Sequence, residues 1–192
     1  MKAIITTTLS SMAISVVAWS AFAQHPEHGH TDAPVDGRSA LTVPSAMQVE
    51  HAHLHHQLAE AVAAGGKTAE AAKKVESVLS AHFVEEDAYA LPPLGLLQTI
   101  AQGKQPTPEQ AHTAIEMADK LRANYDKMLE EHKQLTASLK ELAAAAKAEN
   151  KPGAAAFAEA LTLHAQNEEQ ILYPATLMIG EYLKLKSASD KH

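Results

Sequence analysis

Apolar residues recur at alternating steps of three and four along four stretches of the chain, the spacing that keeps side chains on one face of an α-helix. The four stripes run from Met47 to Ala61, from Val75 to Ala90, from Leu121 to Leu142 and from Phe157 to Ile171. The last step of the second stripe is off by one residue. No strand-like alternation persists in the sequence. The pattern therefore predicts four amphipathic helices.

Helix-breaking and capping residues predict the ends of the first two helices. The first helix is expected to begin near Pro44 and to stop at the Gly65-Gly66 pair, because glycine adopts the left-handed turn that ends many helices. Thr68 is expected to cap the second helix. That helix should end at Pro92-Pro93, since proline cannot continue it.

The third and fourth helices have equally clear boundaries. Thr107-Pro108-Glu109-Gln110 is a capping box with proline at the first helical position, which predicts the start of a helix that runs to about Asn150. Pro174 is expected to kink or end the fourth helix, and a last helical piece should reach about Lys186. Short links between long amphipathic helices favour an all-α fold, an up-down-up-down four-helix bundle over residues 44–186.

The first 23 residues read as a secretory signal peptide. Lys2 precedes an apolar run, and Ala21-Phe22-Ala23 is a small-x-small cleavage signal. The run is shorter than the 18 or so residues that a membrane-spanning helix needs. We therefore expect export to the periplasm or beyond, with no membrane attachment after cleavage. Residues 24–43 contain proline, glycine and histidine without an apolar period, which predicts a disordered linker, and residues 187–192 are expected to be a flexible tail.

Composition excludes several classes of function. The chain has no cysteine, so disulfide, iron–sulfur and thiolate–zinc chemistry are excluded. Its formal net charge is −7, which argues against nucleic acid and anionic membranes as partners.

Each of the four stripes includes a histidine at a position that should be buried, and two of the histidines are followed one turn later by a glutamate. The six residues are His51, His82, Glu86, His132, His164 and Glu168. Imidazoles and carboxylates are costly to bury among leucines unless something pairs with them. Metal ions shared by the four helices would meet that need. The set predicts a metal centre in the core of the bundle.

The donor atoms narrow the choice of metal. Nitrogen and oxygen ligands without thiolate favour iron, manganese or zinc, and two carboxylates flanked by nitrogen donors suit a pair of ions. One alternative is a polar layer that holds no metal. Another is haem b with a histidine and a methionine as axial ligands, but haem needs only two ligands and would leave four costly groups unexplained.

In its order and spacing, the set resembles the hemerythrin-like cation-binding (HHE) domain family. The motif is His51, His82-x-x-x-Glu86, His132 and His164-x-x-x-Glu168, and the resemblance covers about residues 44–186. It implies a four-helix bundle around two non-haem iron ions, with zinc or manganese as possible substitutes. The four histidines match histidine ligands of the family, and Glu86 and Glu168 match its bridging carboxylates.

The third helix departs from the pattern of the oxygen-carrying members, which have two histidines one turn apart there. Here Met128 lies one turn before His132, and Thr136 lies one turn after it. The centre is one nitrogen short, which argues against reversible oxygen carriage. The candidates to replace the missing donor are His55, Glu85 and Tyr125, and Glu50 lies nearby. Alternatively, water or a substrate fills an open position, as in catalytic metal sites.

Three functions follow from this interpretation. The protein binds or senses oxygen, or it handles peroxide or nitric oxide at a di-iron centre, or it is a non-enzymatic carrier or store of iron or zinc. We expect a metal- and oxygen-binding protein rather than a dedicated enzyme. Its partners would then be metal ions and a small diatomic or peroxide ligand.

Overall fold

The computed structural model describes residues 41–189, in which six α-helices follow one another with short links. They are α1 (Ser45–Ala63), α2 (Gly66–Glu85), α3 (Leu97–Ala101), α4 (Pro108–Ala148), α5 (Pro152–Asn167) and α6 (Tyr173–Ser189). Two π-helical segments, Glu86–Ala90 and Glu168–Leu172, and a 3-10 helix, Pro92–Leu96, lie between them. The predicted signal peptide, most of the predicted linker and the last three residues of the predicted tail lie outside the described residues.

Four helical rods form a bundle. The first rod is α1, the second is α2 with the segment Glu86–Ala90, the third is α4, and the fourth runs from α5 through Glu168–Leu172 into α6. The third rod packs against the second and the fourth, and the first packs against the second and the fourth. Links of two and three residues join rods one to two and three to four, so these neighbours are antiparallel. The prediction of an all-α, up-down-up-down four-helix bundle is confirmed.

The longest helix, α4, begins with the predicted capping box. Thr107 accepts a hydrogen bond from the Gln110 backbone N–H at 3.2 Å, and the Gln110 side chain accepts one from the Thr107 backbone N–H at 3.0 Å. The 41 residues of α4 extend about 60 Å at 1.5 Å per residue. Among residues 41–189, no helix is both long enough and apolar enough to cross a membrane.

The start of α2 differs from the prediction. Gly65 and Gly66 have φ angles of 74° and 63°, and the helix begins at Gly66, so Thr68 lies inside it. The cap comes instead from Glu149, at the end of α4. Its carboxylate accepts hydrogen bonds from the backbone N–H groups of Lys67 at 2.8 Å and Thr68 at 3.1 Å. A distant acid therefore replaces the local cap, and its negative charge suits a helix N-terminus.

In the second and fourth rods, the helical turn that begins at a buried glutamate contains one extra residue. In both, the backbone N–H five residues later donates to the glutamate carbonyl, which is the π-helical pattern. The pairs are Leu91 with Glu86, at 2.9 Å, and Tyr173 with Glu168. A proline follows immediately in each rod, at Pro92 and Pro174, and the wider turn relieves the clash between its ring and the preceding turn. The distortion expected at Pro174 thus lies just before it, and the fourth rod continues.

These wider turns shift the apolar stripes. Ile171, predicted to be buried, is 59% exposed, whereas Tyr173 is fully buried. In the second rod Ala90 is buried, so the irregular step in the stripe falls inside the π segment. The remaining stripe residues are buried as predicted, except Tyr125, which is half-buried.

Apolar clusters fill the bundle on both sides of a polar layer. One cluster, nearer the links α1–α2 and α4–α5, includes Leu54, Leu79, Leu135 and Leu161. Others, nearer the opposite end, include Val43, Met47, Leu91, Met128 and Ile179. Val43 is 8% exposed, so the packed chain begins inside the region predicted to be a disordered linker. On each rod the predicted metal ligands lie between the two sets.

Candidate metal centre

The four rods bring the six predicted ligands together at one level of the bundle. His51 lies in the middle of α1, and His132 lies in the middle of α4. His82 and His164 lie in the last turns of α2 and α5. Four residues after each histidine, a glutamate begins a π segment. All six side chains are buried, and none of these residues is more than 5% exposed.

The six side chains form two groups that share both carboxylates. The first cluster is His51, His164, Glu86 and Glu168, and the second cluster is His82, His132, Glu86 and Glu168. In each cluster, one donor atom from every residue lies within 4.8 Å of the other three. Each cluster therefore offers two imidazole nitrogens and two carboxylate oxygens.

Each glutamate directs one oxygen to each cluster. Glu86 Oε2 lies 3.8 Å from His51 Nε2, while Glu86 Oε1 lies 3.1 Å from His82 Nε2. Glu168 Oε1 lies 3.0 Å from His164 Nε2 and 3.7 Å from His51 Nε2, while Glu168 Oε2 lies 3.4 Å from His132 Nε2. This division of oxygens is the arrangement that a carboxylate needs to bridge two ions.

Within residues 41–189, the donor atoms of the first cluster face one another and make no hydrogen bond. His51 Nε2, His164 Nε2, Glu86 Oε2 and Glu168 Oε1 are buried and make no hydrogen bond. A buried polar atom without a partner costs about 1–3 kcal/mol, so four at one point are a large cost unless a cation satisfies them. The residues present therefore fit a metal of the kind that the sequence predicted.

A second layer of carboxylates faces the outer nitrogens of the four histidines. The Nδ1 atoms lie 3.4 Å from Asp87 for His51, 2.9 Å from Glu131 for His82, 3.1 Å from Glu169 for His132 and 3.2 Å from Glu50 for His164. The second, third and fourth rods each supply one acid to the histidine of the preceding rod. The first rod supplies Glu50 to the histidine of the fourth rod, so the contacts form a closed ring. Such acids fix the orientation of metal-binding imidazoles and make them better donors.

Without a metal, the imidazoles of His82 and His164 hold protons. Burial lowers the pKa of His82, but the hydrogen bond and charge of Glu86, aided by Glu131, outweigh this effect and raise the pKa to about 9. Burial likewise lowers the pKa of His164, and the close contact with the Glu168 carboxylate, 3.0 Å away, and its charge raise the pKa to about 9. Protons therefore occupy the metal-free site at neutral pH, and a cation must displace them.

The two glutamates differ in their affinity for protons. Burial and the neighbouring charge of Glu168 raise the pKa of Glu86. Burial also acts to raise the pKa of Glu168, but close contacts with the imidazoles of His132 and His164 outweigh it and hold the pKa well below its usual range. Glu86 therefore holds a proton more tightly than Glu168 does.

The three possible replacements for the missing nitrogen do not join either cluster. His55 is exposed, and its ring meets Phe83 edge-on at 5.0 Å. Glu85 accepts hydrogen bonds from Lys127 and from Tyr89. Tyr125 is half-buried, with its ring 6.4 Å from that of Tyr173. The predicted candidates therefore lie around the centre rather than in it.

Sequence reasoning missed Tyr173 and three of the outer acids, Asp87, Glu131 and Glu169. The acids carry a signal that could have revealed them, because every outer acid is adjacent in sequence to one of the six inner residues. Tyr173 carries no such signal. It lies five residues after Glu168, a spacing that leaves the inner face of an α-helix and returns to it only in a π turn.

Comparison with known proteins gives one match. The sequence model of the hemerythrin HHE cation binding domain matches residues 42–176, which include both clusters and all four outer acids. Searches of the curated proteins and of the solved structures find no match.

Proposed function

The chain belongs to the hemerythrin HHE cation-binding domain family, and on that premise we propose that its core holds two non-haem iron ions. His51 and His164 bind one ion, His82 and His132 bind the other, and both glutamates bridge them. The division of each carboxylate between the clusters carries this proposal. Mixed nitrogen and oxygen donors suit iron, and zinc or manganese could occupy the same positions.

The burial of the centre favours a resident metal over a transported one. Every proposed ligand is at most 5% exposed, and apolar clusters close the bundle on both sides. A carrier must release its cargo, which requires ligands that solvent or a recipient can reach. Here release requires the rods to separate, so a permanent cofactor fits the geometry better than a store.

We propose that the centre handles dioxygen, peroxide or nitric oxide. When bound, a pair of iron ions supplies electron transfer and binding of such small molecules. The residues of this chain orient the donors and exclude bulk water, and His82 and His164 hold protons when the metal is absent. Small molecules suit the site because all six residues are buried within the described bundle.

Metal analysis with a matched pair of variants tests the di-iron proposal. Wild-type protein reconstituted anaerobically with iron(II) should hold two ions per chain. Glu86→Gln should lose at least one ion, since a neutral amide cannot bridge. Glu85→Gln is the control, because the neighbouring Glu85 is engaged with Lys127 and Tyr89 and should not alter the stoichiometry. Equal iron content in both variants would overturn the proposal.

Exposure of the reduced protein to each small molecule tests the activity. If the protein carries oxygen, argon should restore the spectrum of the reduced protein after oxygenation. If it is a redox protein, the spectrum should change irreversibly, and peroxide or nitric oxide should be consumed in proportion to protein. Rapid loss of the metal to a mild chelator, with neither response, would favour the carrier instead.

We also propose that the protein works outside the cytoplasm, on the strength of the leader-like residues 1–23. N-terminal sequencing of the protein from the periplasm should begin at Gln24. An uncleaved N-terminus in the cytoplasmic fraction would contradict this proposal.

A further inference from the structure

Tyr173 places its hydroxyl against the second cluster. The residue is fully buried at the start of α6, directly after the π segment Glu168–Leu172. Its Oη donates a short hydrogen bond to Glu86 Oε1 and lies 3.4 Å from His82 Nε2 and 3.3 Å from His132 Nε2. Its ring stacks on that of His132, with centroids 5.5 Å apart and planes at 15°. Packing therefore holds the oxygen against three donor atoms of one cluster.

The distances from Tyr173 Oη to the two histidine nitrogens suit ligands of one ion. With metal–ligand bonds of about 2.0–2.1 Å, neighbouring ligand atoms lie about 2.8–3.0 Å apart at octahedral angles and about 3.3–3.4 Å apart at tetrahedral angles. The separations from Tyr173 Oη to the two Nε2 atoms fall in the latter range. The hydroxyl therefore lies close enough to both nitrogens to bind an ion that they hold.

Within residues 41–189, no hydroxyl group makes a hydrogen bond to a donor atom of the first cluster. The ring of Phe83 stacks on His51, with centroids 4.0 Å apart and planes at 5°, and it offers no donor atom. The four donor atoms of this cluster have no hydrogen-bond partner, whereas Tyr173 meets three donor atoms of the second cluster. The two metal positions are therefore unequal, although their histidines and glutamates match.

We propose that Tyr173 is the fifth protein ligand of the ion held by His82 and His132, and that a small molecule binds at the ion held by His51 and His164. This inference rests on the proposed di-iron function. Metal binding breaks the phenol O–H bond and forms the oxygen–metal bond, the proton is released to solvent, and no electron is transferred. Tyr173 thereby takes the place of the nitrogen that the third rod lacks.

The visible spectrum of the iron(III)-loaded protein tests the ligand. A phenolate bound to iron(III) gives a charge-transfer band, and resonance Raman excitation within that band enhances the ring vibrations of the phenolate. Wild-type protein should show both features, and ring-deuterated tyrosine should shift the vibrations. Tyr173→Phe should lose them, while the controls Tyr125→Phe and Tyr89→Phe keep them. Iron content is measured in the same samples.

The outcomes separate this inference from the proposed function. Two irons per chain without phenolate vibrations in the wild type would leave the di-iron centre standing and reduce Tyr173 to a hydrogen-bond donor for Glu86. Phenolate vibrations that persist in Tyr173→Phe would overturn the assignment as well. Failure of the wild type to bind iron would overturn both the di-iron proposal and the assignment of Tyr173 as a ligand. The wild-type measurement decides the matter even if Tyr173→Phe does not fold.

Azide tests which position is open. Added to the iron(III)-loaded wild type, azide should produce its own absorption band while the phenolate vibrations remain, because it binds at the position without tyrosine. Loss of the phenolate vibrations as azide binds would show that the molecule displaces Tyr173, and the assignment of the open position would be wrong.

Discussion

His82 and Glu131 lie on adjacent rods and are joined by a hydrogen bond of 2.9 Å between His82 Nδ1 and Glu131 Oε2. The same histidine presents Nε2 to Glu86 at 3.1 Å. The outer acid therefore fixes the ring plane and leaves the inner nitrogen directed at the shared carboxylates. Lys127 lies 2.9 Å from Glu131 and keeps this acid in place.

Replacement of Glu131 by glutamine should weaken metal binding about 10–100-fold, because the imidazole loses a charged partner that makes it a better donor. Glu130→Gln is the matched control, since Glu130 is exposed and contacts Lys133 at 3.1 Å. Competition between the protein and a chromogenic chelator for zinc measures both affinities. A loss of the same size in the two variants would indicate that charge at the surface, and not the contact with His82, sets the affinity.

The metal-free protein should lose stability as pH rises from about 6.5 to about 9. His82 and His164 have pKa values of about 9 in the fold, against about 6.5 when unfolded. A raised pKa stabilises the fold fully below the unfolded value, and the effect disappears as pH rises through the folded value. Bound metal replaces these protons, so the zinc-loaded form should lack this loss.

Thermal denaturation of chelator-treated and zinc-loaded protein across this pH window checks the expectation. The gap between the two Tm values should widen toward high pH. His56→Gln is the control, since the side chain of His56 is 71% exposed and the variant should follow the wild type. A Tm of the metal-free protein that does not change between pH 6.5 and 9 would contradict the assignment of protons to the site.

Glu149→Gln should destabilise the protein at neutral pH, because Glu149 caps α2 and binds Lys151 at 2.7 Å. Hydrogen bonds from Lys151 and Thr68 lower the pKa of Glu149 to about 2. A lowered pKa gives stability that is present above the unfolded value of about 4.5 and is lost as pH falls through about 2. The difference in Tm between wild type and variant should therefore shrink over that acid range.

Glu141→Gln provides the comparison for the cap, since Glu141 forms an exposed ion pair with Lys74 at 2.6 Å. Exposed pairs contribute little to stability, so this variant should melt close to the wild type. Equal losses in Glu149→Gln and Glu141→Gln would mean that the cap contributes no more than a surface ion pair.

Gly180→Ala should destabilise the protein by roughly 1–3 kcal/mol, because an added methyl group overpacks the contact between α6 and α4. A Cβ at Gly180 would lie 2.5 Å from Ala118 Cβ, so the helices would have to move apart. Gly153→Ala is the control, because a Cβ there meets nothing within 4 Å. It should raise stability by roughly 0.5–1 kcal/mol through helix propensity. Urea denaturation of both variants measures the difference.

The sequence by itself determined the bundle and the identity of the six buried polar residues. Steps of three and four along a helix depend only on local geometry, so His51 and His132 could be assigned to inner faces before any packing was known. The capping box at Thr107 is local for the same reason, and the structure confirms it. The family match over residues 42–176 agrees with the motif that these residues form.

Tertiary structure alone decided which atoms meet across the rods. Glu149 caps α2 from 81 residues away in sequence, and each outer acid serves a histidine on another rod, so no local spacing reports these contacts. Tyr173 reaches the second cluster because the π turn after Glu168 adds a residue, and a search at α-helical spacing passes over that position. Local periodicity fixes the face on which a side chain lies, but its partner depends on the register between rods, which the packing of the whole core sets.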